Sequence, residues 1–320
     1  MRLVSGLRVD GKGDAMRVVF MGTPSFSVPS LQHVAREHEV ALVLTRPDAV
    51  RSRGKKLEPS PVKVAAQELG IPVLEAKRMT PEVLEALRAA DADIFCVAAY
   101  GCILPDEVLT MAPLGCVNVH ASLLPRWRGA APIQRSILAG DDETGVSIMR
   151  IGHGVDTGAY CAQASCSVAG KTADELTADL AELGGKLLAA TLPAIADGSA
   201  QWVEQDETLV THAAKIEKSE MLLAPTMVAD DIVRRVLASS DAAPARCVVA
   251  GKTLRVLRAL RADRAVARGV VEVAAGAVYL GCAEGTIELI EVKPDGKRAM
   301  EAAAWAAGVR ERTSSWEALS

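Results

Sequence analysis

Aromatic residues are scarce in this chain, which has four tryptophans, three tyrosines and three phenylalanines among 320 residues. Half of the residues are hydrophobic, so a core can form, but alanine, valine, leucine and isoleucine have to supply most of it. Few rings remain for the stacking surfaces with which many proteins bind single-stranded nucleic acid. The length favours two domains over one.

CxxC pairs and long apolar runs are also absent. The seven cysteines are odd in number and scattered, at Cys96, Cys102, Cys116, Cys161, Cys166, Cys247 and Cys282. This pattern indicates reduced thiols rather than a disulfide framework or a zinc site. No apolar run approaches the length of a membrane span, and residues 1–15 lack the apolar stretch of a signal peptide. We therefore expect a cytoplasmic protein, with residues 1–15 as a disordered extension outside the fold.

The chain also lacks a strong net charge, because it contains 36 basic and 40 acidic residues. No overall field therefore drives binding to nucleic acid. Locally the balance is uneven, since the segment Arg46–Lys56 has five basic residues and one acidic residue. A solvated surface loop is the simpler interpretation of that run, and contact with phosphate groups is the alternative. A second basic cluster is set against Asp263 alone and comprises Arg246, Lys252, Arg255, Arg258, Arg261, Arg264 and Arg268.

Short apolar runs alternate with helical segments over the first part of the chain, at Met16–Met21, Val40–Leu44, Ile71–Leu74, Ile94–Ala99 and Val117–His120. This alternation predicts an α/β fold with a doubly wound, parallel, Rossmann-like sheet. The first run ends at Gly22-Thr23-Pro24, which lacks the G-x-G-x-x-G pattern of a dinucleotide-binding turn. A long helix over residues 172–195 is expected to close this domain, with Gly184-Gly185 as a weak point.

The pattern changes after about Asp206. A helix, Val228–Leu237, precedes five short strand candidates at Arg246–Val249, Leu254–Leu260, Gly269–Val273, Val278–Gly281 and Ile287–Val292. Five short strands in roughly a hundred residues favour a small β-barrel of the OB type. The predicted organisation is a catalytic domain over residues 16–204, a linker over 205–225 and a barrel domain over 226–320.

Polar side chains cluster at the end of one apolar strand and in a later turn. Asn118 and His120 are two residues apart on a strand, so their side chains share a face. Asp156 lies in the turn that follows a further predicted strand, Gly145–Ile151. Ligands of doubly wound sheets bind beyond the carboxyl ends of the strands. We therefore expect these three residues to meet in one crevice.

An amide, an imidazole and a carboxylate suit the attack of an amine on a carbonyl carbon. The amide can donate to a developing oxyanion, the imidazole can accept the proton of the amine or support the oxyanion, and the carboxylate can fix the imidazole tautomer. No serine or cysteine stands out as a nucleophile, which favours direct transfer. From spacing alone, the alternative is an asparagine that caps a loop and a histidine that bonds to the backbone.

The stretch NVHASLLPRWRGAAPIQRSILAGD, followed by ETGVSIMRIGHGVDTG, resembles the folate-dependent formyltransferases. Within that family it is similar to the members that formylate methionine on initiator tRNA, from Met16 to about Thr211, including ETLVTHAAKI. The resemblance implies a formyltransferase fold, 10-formyltetrahydrofolate as co-substrate, methionyl-initiator tRNA as acceptor and no metal. We expect a monomer that acts without a membrane.

The resemblance also assigns residues. The catalytic asparagine, histidine and aspartate of the family fall on Asn118, His120 and Asp156. The folate-contacting positions fall on Ser122, Leu123, Leu124 and Pro125, and on Tyr100, Gly101, Ile103 and Leu104 of the YGxILP stretch. The tRNA-reaching loop falls on Arg53, Lys55 and Lys56, with Arg51 beside them. Two features depart from the family pattern: Ala49-Val50-Arg51 replaces a proline-rich loop centre, and SSDAAPA at 239–245 lacks a tryptophan and proline motif.

Two other functions remain to be distinguished. One is a folate-dependent formyltransferase that acts on a small amine, such as glycinamide ribonucleotide or an amino sugar. The other is a noncatalytic RNA-binding protein. The RGKK loop and PRWRGAAPIQ favour the tRNA substrate over a small amine, and the presence of Asn118, His120 and Asp156 argues against a noncatalytic protein. His153 is interpreted as a surface loop residue.

Overall fold

The computed structural model of the protein describes residues 15–50, 57–309 and 313–319, which form two compact units. The described residues of 1–128, 145–165 and 178–211 form the first unit. The second unit is formed by those of 129–144, 166–177 and 212–320. The expected N-terminal extension lies, except for Ala15, outside the described residues. The predicted domain bounds at 204/205 and 225/226 stay a prediction.

A seven-stranded sheet organises the first unit. Its strands are β1 (Arg17–Gly22), β2 (Glu39–Thr45), β5 (Val73–Glu75), β6 (Ile94–Ala98), β7 (Cys116–His120), β9 (Glu143–Arg150) and β10 (Tyr160–Ser167), and their order is β10-β9-β7-β6-β1-β2-β5. β1 is parallel to β2 and β6, β2 to β5, and β6 to β7. The predicted Rossmann-like sheet is thereby confirmed. β9 differs, because it runs antiparallel to β7.

Among the described residues, five helices and three short strands connect these strands, and a sixth helix, α6, follows β10. The helices are α1 (Val28–Glu37), α2 (Pro61–Glu68), α3 (Pro81–Ala89), α4 (Asp106–Leu109), α5 (Pro132–Ala139) and α6 (Ala173–Ala196). The short strands are β3 (Ala49–Val50), β4 (Leu57–Glu58) and β8 (Arg128–Gly129). Each of α2, α3 and α5 begins at a proline, which suits the first helical position because its missing N–H would have no intrahelical partner there.

The core of the first unit uses the few aromatic residues together with aliphatic ones. Phe20, Phe95 and Tyr100 are among the largest fully buried side chains. β6 (IFCVA) is buried at every position, as expected for a strand covered on both faces. The scarcity of aromatic residues therefore concerns the surface more than the core.

The loops after β1 and β6 are fastened together at the point where the strand order reverses. Thr23 Oγ1 donates to the Tyr100 carbonyl at 2.9 Å, and Ser27 Oγ donates to the Ala98 carbonyl at 2.6 Å. In open α/β sheets this reversal point is where ligands bind.

The two glycines of α6, expected to be a weak point, lie within an unbroken helix from Ala173 to Ala196 and are packing positions. A Cβ on Gly184 would lie 2.6 Å from a methyl group of Val119. A Cβ on Gly185 would lie 2.8–2.9 Å from backbone atoms of Pro29 and Ser30. The glycines thus allow α6 to lie directly against β7 and α1.

A closed antiparallel barrel forms most of the second unit. Its six strands are β12 (Arg246–Val249), β13 (Lys252–Ala262), β14 (Val270–Ala274), β15 (Ala277–Gly281), β16 (Thr286–Pro294) and β18 (Thr313–Glu317). The order β13-β12-β18-β14-β15-β16 is closed by the β13–β16 pairing. The short strand β17 (Met300–Glu301) extends the edge of β16. The remaining elements are β11 (His212–Ala213), α7 (Ala229–Ala238) and α8 (Ala302–Ala306).

The predicted barrel is confirmed, with one strand more than the sequence pattern indicated. β18 reads TSSWE, and its polar residues hid it as a strand candidate. It pairs with both β12 and β14 and so completes the barrel. Trp316 is buried in the barrel core, and its indole N–H donates to the Gly281 carbonyl at 2.9 Å. Within the described ranges, no helix is long and apolar enough to cross a membrane.

We predict that Gly185→Ala lowers the free energy of unfolding by about 1–3 kcal/mol, because the added methyl group meets the backbone of α1. In a helix without such contacts the same change raises helix stability by roughly 1 kcal/mol, so the sign is diagnostic. Denaturant unfolding measures it. Gly308→Ala, in the turn after α8, is the control for an added methyl group, since its Cβ would find its nearest neighbour at 3.5 Å. Equal or higher stability of Gly185→Ala would contradict the packing argument.

Candidate active site

β7 presents Asn118 and His120 on one face and Val119 on the other. Val119 faces Gly184 of α6, which anchors the strand from its opposite side. His120 is buried and Asn118 is half-buried. Asn118 is the single asparagine of the chain, and its carboxamide makes no hydrogen bond to any residue that the structure describes. An amide donor is thus available beside a buried imidazole.

Asp156 lies near the face of β7 that carries His120. The rule that ligand-binding residues follow the carboxyl ends of parallel strands does not predict this position. β9 is antiparallel to β7, so it ends beside Cys116, where the Ile151 N–H donates to the Cys116 carbonyl at 3.0 Å. Residues 152–155 then return the chain toward His120. The Asp156 carboxylate lies 3.5 Å from His120 Nδ1. The predicted meeting of the two side chains is therefore present, although the strand direction would have placed them at opposite ends of β7.

The second ring nitrogen of His120 faces the backbone. Nε2 lies 3.0 Å from the Trp127 carbonyl, which can only accept a hydrogen bond, so this contact requires a proton on Nε2. Trp127 itself has a φ of +64°, a conformation that non-glycine residues rarely adopt. The sequence contained no signal for this partner, because any residue type supplies a carbonyl. His120 thus has oxygen neighbours on both sides of its ring.

Hydrogen bonds hold the backbone of the segment Ser122–Pro125 in place. Ser122 Oγ donates to the Arg126 carbonyl at 2.6 Å. Ser147 Oγ donates to the Ser122 carbonyl and accepts from the Leu124 N–H. Ser122 and Leu124 are buried, whereas Leu123 and Pro125 are half-buried. The segment therefore offers its backbone and two partly accessible side chains to a ligand.

The loop Tyr100–Leu104 divides into a buried base and an exposed tip. Tyr100 is buried, and its hydroxyl donates to the Ala76 carbonyl at 3.3 Å. Burial raises the pKa of Tyr100 to about 12. Gly101 has a φ of +77°, and its carbonyl accepts from Arg46 at 2.6 Å. Ile103 is 93% exposed and Leu104 is half-buried, so the accessible apolar surface of this loop comes from Ile103.

The basic loop begins and ends in a short antiparallel hairpin of β3 and β4. Lys63 of α2 pairs with Asp48 at 2.9 Å and with Glu75 at 2.8 Å, which ties the start of the loop to α2 and β5. The four predicted tRNA-contacting residues, Arg51, Arg53, Lys55 and Lys56, lie outside the described residues.

The basic cluster of the barrel is less positive than its sequence suggests. Four of its arginines pair with carboxylates, in the pairs Arg246–Asp295, Arg255–Asp241, Arg261–Asp230 and Arg264–Glu272. These acidic partners come from positions outside the cluster, which a local count cannot include. Arg258 and Arg268 form no ion pair with the residues that the structure describes.

Other polar groups near the site are surface features. His153 is exposed, as expected, and its Nδ1 lies 3.1 Å from the Asp106 carboxylate. Across the described part of the chain, no group of three or more His, Cys, Asp or Glu is arranged to hold a metal ion. All seven cysteines are free.

Comparison with known proteins identifies two family matches and close relatives. Residues 16–192 match the Formyl transferase family, and residues 215–310 match the Formyl transferase, C-terminal domain family. The methionyl-tRNA formyltransferase of Methylococcus capsulatus is 44% identical over 295 residues, which cover 90% of this chain and 95% of that protein. The methionyl-tRNA formyltransferase of Methylobacillus flagellatus is 41% identical over 288 residues, which cover 88% and 94%.

A solved structure has a similar fold at low sequence identity. The crystal structure of HypX from Aquifex aeolicus in complex with tetrahydrofolic acid matches with a TM-score of 0.64 at 16% identity. The match covers 92% of this chain and 47% of HypX, so the chain spans about half the length of that protein. This similarity supports the fold alone.

We predict that Tyr100→Phe lowers the free energy of unfolding by about 1 kcal/mol at neutral pH, because the Ala76 carbonyl loses its phenol donor. The unfolded phenol ionises near its ordinary pKa of 10.0, below the raised value of the folded protein, so this part of the stability is lost as pH rises from 10 toward 12. Denaturant unfolding at several pH values should show the difference between the two proteins shrinking over that range. A constant difference would mean that the phenol is accessible to solvent in the folded protein.

Proposed function

The chain belongs to the formyl transferase family, and we propose that it transfers the formyl group of 10-formyltetrahydrofolate to the amino group of methionyl-initiator tRNA. The proposal is carried by Asn118, His120 and Asp156, which lie at the carboxyl end of β7, with the Asn118 amide unbonded to any residue that the structure describes. The two relatives named as methionyl-tRNA formyltransferases, which align over about nine-tenths of the chain, support this choice of acceptor.

The surroundings of the site fit a folate. Ile103 is an apolar side chain with 93% exposure, and Leu123 and Pro125 are partly accessible. Ligand sites typically combine such apolar surface with a few convergent polar groups, here Asn118 and His120. The proposed folate-binding residues are Ser122, Leu123, Leu124, Pro125, Tyr100, Gly101, Ile103 and Leu104. Because the Tyr100 side chain is buried, Tyr100 would contribute through its backbone.

When bound, 10-formyltetrahydrofolate supplies an electrophilic formyl carbon. We assign Asn118 as the donor to the formyl oxygen, where negative charge develops as the amine attacks. Its carboxamide needs no rearrangement for this role, because it has no described partner to give up. A donor that is already oriented stabilises the transition state more than one that must first be freed.

His120 and Asp156 would manage the proton that the amine loses. The Trp127 carbonyl holds Nε2, so Nδ1 is the nitrogen that faces Asp156. At 3.5 Å this pair is longer than a normal hydrogen bond, which leaves Nδ1 less tightly engaged than Nε2. The carboxylate can stabilise positive charge on the ring once His120 has taken up a proton. Direct transfer needs no nucleophilic side chain.

The basic loop is the proposed contact for the phosphate backbone of the tRNA, through Arg51, Arg53, Lys55 and Lys56. Phosphate contacts supply affinity and position without reading the base sequence, and they weaken with salt. The hairpin of β3 and β4, between whose strands these residues lie, follows β2 in the chain. An acceptor as small as glycinamide ribonucleotide or an amino sugar would not require four such cations.

We predict that kcat/KM for methionyl-initiator tRNA exceeds that for glycinamide ribonucleotide or an amino-sugar nucleotide by on the order of 10³ or more, with 10-formyltetrahydrofolate as donor. The tRNA reaction should also slow as salt rises from about 50 to 200 mM, because released counterions weaken phosphate contacts. Formyl transfer is measured with each acceptor at equal donor concentration. Preferential use of a small amine would reject the proposed acceptor, and no transfer to any acceptor would reject the enzyme assignment.

We predict that Asn118→Ala lowers kcat about 100- to 1,000-fold, the usual effect of removing one oxyanion donor, which corresponds to about 2.7–4 kcal/mol. Donor affinity and the unfolding midpoint should change little. Gln67→Ala, which removes an exposed carboxamide from α2, is the matched control and should keep wild-type kcat. Because Asn118 is the single asparagine, asparagine-selective ¹⁵N labelling gives one side-chain amide signal, which should shift when donor binds. Wild-type turnover in Asn118→Ala would remove Asn118 from the mechanism.

A further inference from the structure

The turn that carries Asp156 has little support of its own. Its sequence is GHGVDTG, and Asp156 adopts a φ of +54°, in the left-handed region that costs a non-glycine residue free energy. Such a conformation persists only where the surroundings hold it in place. Asp156 and Gly158 are half-buried in this otherwise exposed turn, so their carbonyls are partly shielded from water and gain from protein donors.

Gln205 supplies those donors. Its Nε2 donates to the Asp156 carbonyl at 2.8 Å and to the Gly158 carbonyl at 2.7 Å. Its Oε1 accepts from Arg128 Nε at 2.8 Å. The chemistry admits no other orientation of the amide, because a flip would set its oxygen against two carbonyls and its N–H₂ against a guanidinium. With 8% of its surface exposed, Gln205 is a buried side chain with every bond assigned.

Arg128 donates a hydrogen bond to the side-chain oxygen of Gln205 and so fixes the other end of its amide. The guanidinium is 5% exposed, and Glu207 accepts from it at 2.8 Å and 3.2 Å. A buried charge with such partners resists displacement, because moving it would leave it unpaired. The amide of Gln205 is thus fixed at both ends, by the carbonyls of the turn on one side and by a paired arginine on the other.

The same stretch of chain also fixes the other neighbour of His120. We define residues 205–211 as the clamp segment. Within it, Thr211 Oγ1 accepts from the Trp127 N–H at 2.9 Å, and the Thr211 carbonyl accepts from the Arg128 N–H at 2.9 Å. Trp127 is the residue whose carbonyl meets His120 Nε2. The clamp segment therefore bonds to both peptide segments that contact the His120 ring.

We propose that the clamp segment, through Gln205 and Thr211, sets the geometry of His120, and that Gln205 and Arg128 are positioning residues for formyl transfer. The inference rests on the proposed function, and it assigns a role to residues that the sequence pattern marked as a linker. No side chain of the clamp segment needs to touch substrate for this role. Its contribution is to fix where the Asp156 carboxylate and the Trp127 carbonyl lie around the imidazole.

Gln205→Glu tests the role with almost no change in volume. The carboxylate keeps a bond to Arg128 but removes both donors to the turn and sets an oxygen against the Asp156 and Gly158 carbonyls. We expect kcat to fall about 100-fold, the effect of displacing a reacting group by roughly 1 Å. KM values for donor and tRNA should stay near wild type, because no substrate contact is removed.

Gln163→Glu is the matched variant. Gln163 is an exposed glutamine of the first unit whose Nε2, like that of Gln205, donates two hydrogen bonds, to the Leu124 carbonyl at 2.9 Å and to Ser147 Oγ at 2.8 Å. It supports the segment proposed to bind folate and has no bond to the Asp156 turn. The same chemical change is therefore expected to raise KM for the formyl donor, with a smaller effect on kcat.

A readout independent of activity comes from ¹⁵N-histidine NMR, with the His120 signal assigned by His120→Gln. The ring nitrogens of His120 should shift in Gln205→Glu and stay in place in Gln163→Glu. Thr211→Val is the second clamp variant, for use if Gln205→Glu does not fold, because it removes the Trp127 partner with similar volume. It should likewise lower kcat and shift the His120 signals.

The outcomes separate the two proposals. A folded Gln205→Glu with wild-type kcat and unshifted His120 signals would overturn the positioning role. A loss of kcat that follows the loss of thermal stability, with the signals unshifted, would also overturn it in favour of a structural role. If wild-type protein formylates no methionyl-tRNA, the proposed function fails, whereas the NMR comparison still decides whether the clamp segment sets the geometry of His120.

Discussion

β9 runs antiparallel to β7, so it ends beside the start of β7, and His120 lies at the other end of β7. The loop that carries Asp156 begins at this end of β9. The position of the Asp156 carboxylate depends on how this loop brings the chain back toward His120. The returning loop gains no support from strand pairing, and Asp156 completes it in a left-handed conformation. Gln205 donates to the Asp156 and Gly158 carbonyls of this loop, and the Asp156 carboxylate lies 3.5 Å from His120.

A second glutamine, Gln163, makes similar hydrogen bonds to the loop after β7. Gln163 on β10 and Ser147 on β9 hold the backbone of Ser122–Leu124 by donated hydrogen bonds. The two antiparallel strands at this edge of the sheet thus supply side chains that order the loop after β7. A formyl donor and an amine acceptor must be held close together for transfer, and a rigid loop lowers the cost of that alignment.

The prediction from sequence succeeded where local pattern and fold agree. The apolar runs predicted in the first unit are parallel strands, and the run that begins at Met16 ends at the predicted turn at Gly22. It failed where contacts between separate segments of the chain determine the structure. β18 is a polar strand stabilised by two partners in the barrel, and Gly184 and Gly185 are contact points of α6. Four barrel arginines pair with carboxylates that lie outside the basic cluster.

The sequence by itself determined the architecture of one α/β unit and one barrel unit, together with the family resemblance. It also singled out Asn118, His120 and Asp156 as the candidate site residues. These follow from periodicity and from long motifs, which are local properties. Only the tertiary structure decided that Asp156 arrives from an antiparallel strand, that the Trp127 carbonyl meets His120 Nε2, and that residues 205–211 bond to both of these neighbours. The reason is that hydrogen bonds to backbone carbonyls do not depend on the identity of the accepting residue, so they leave no trace in its sequence.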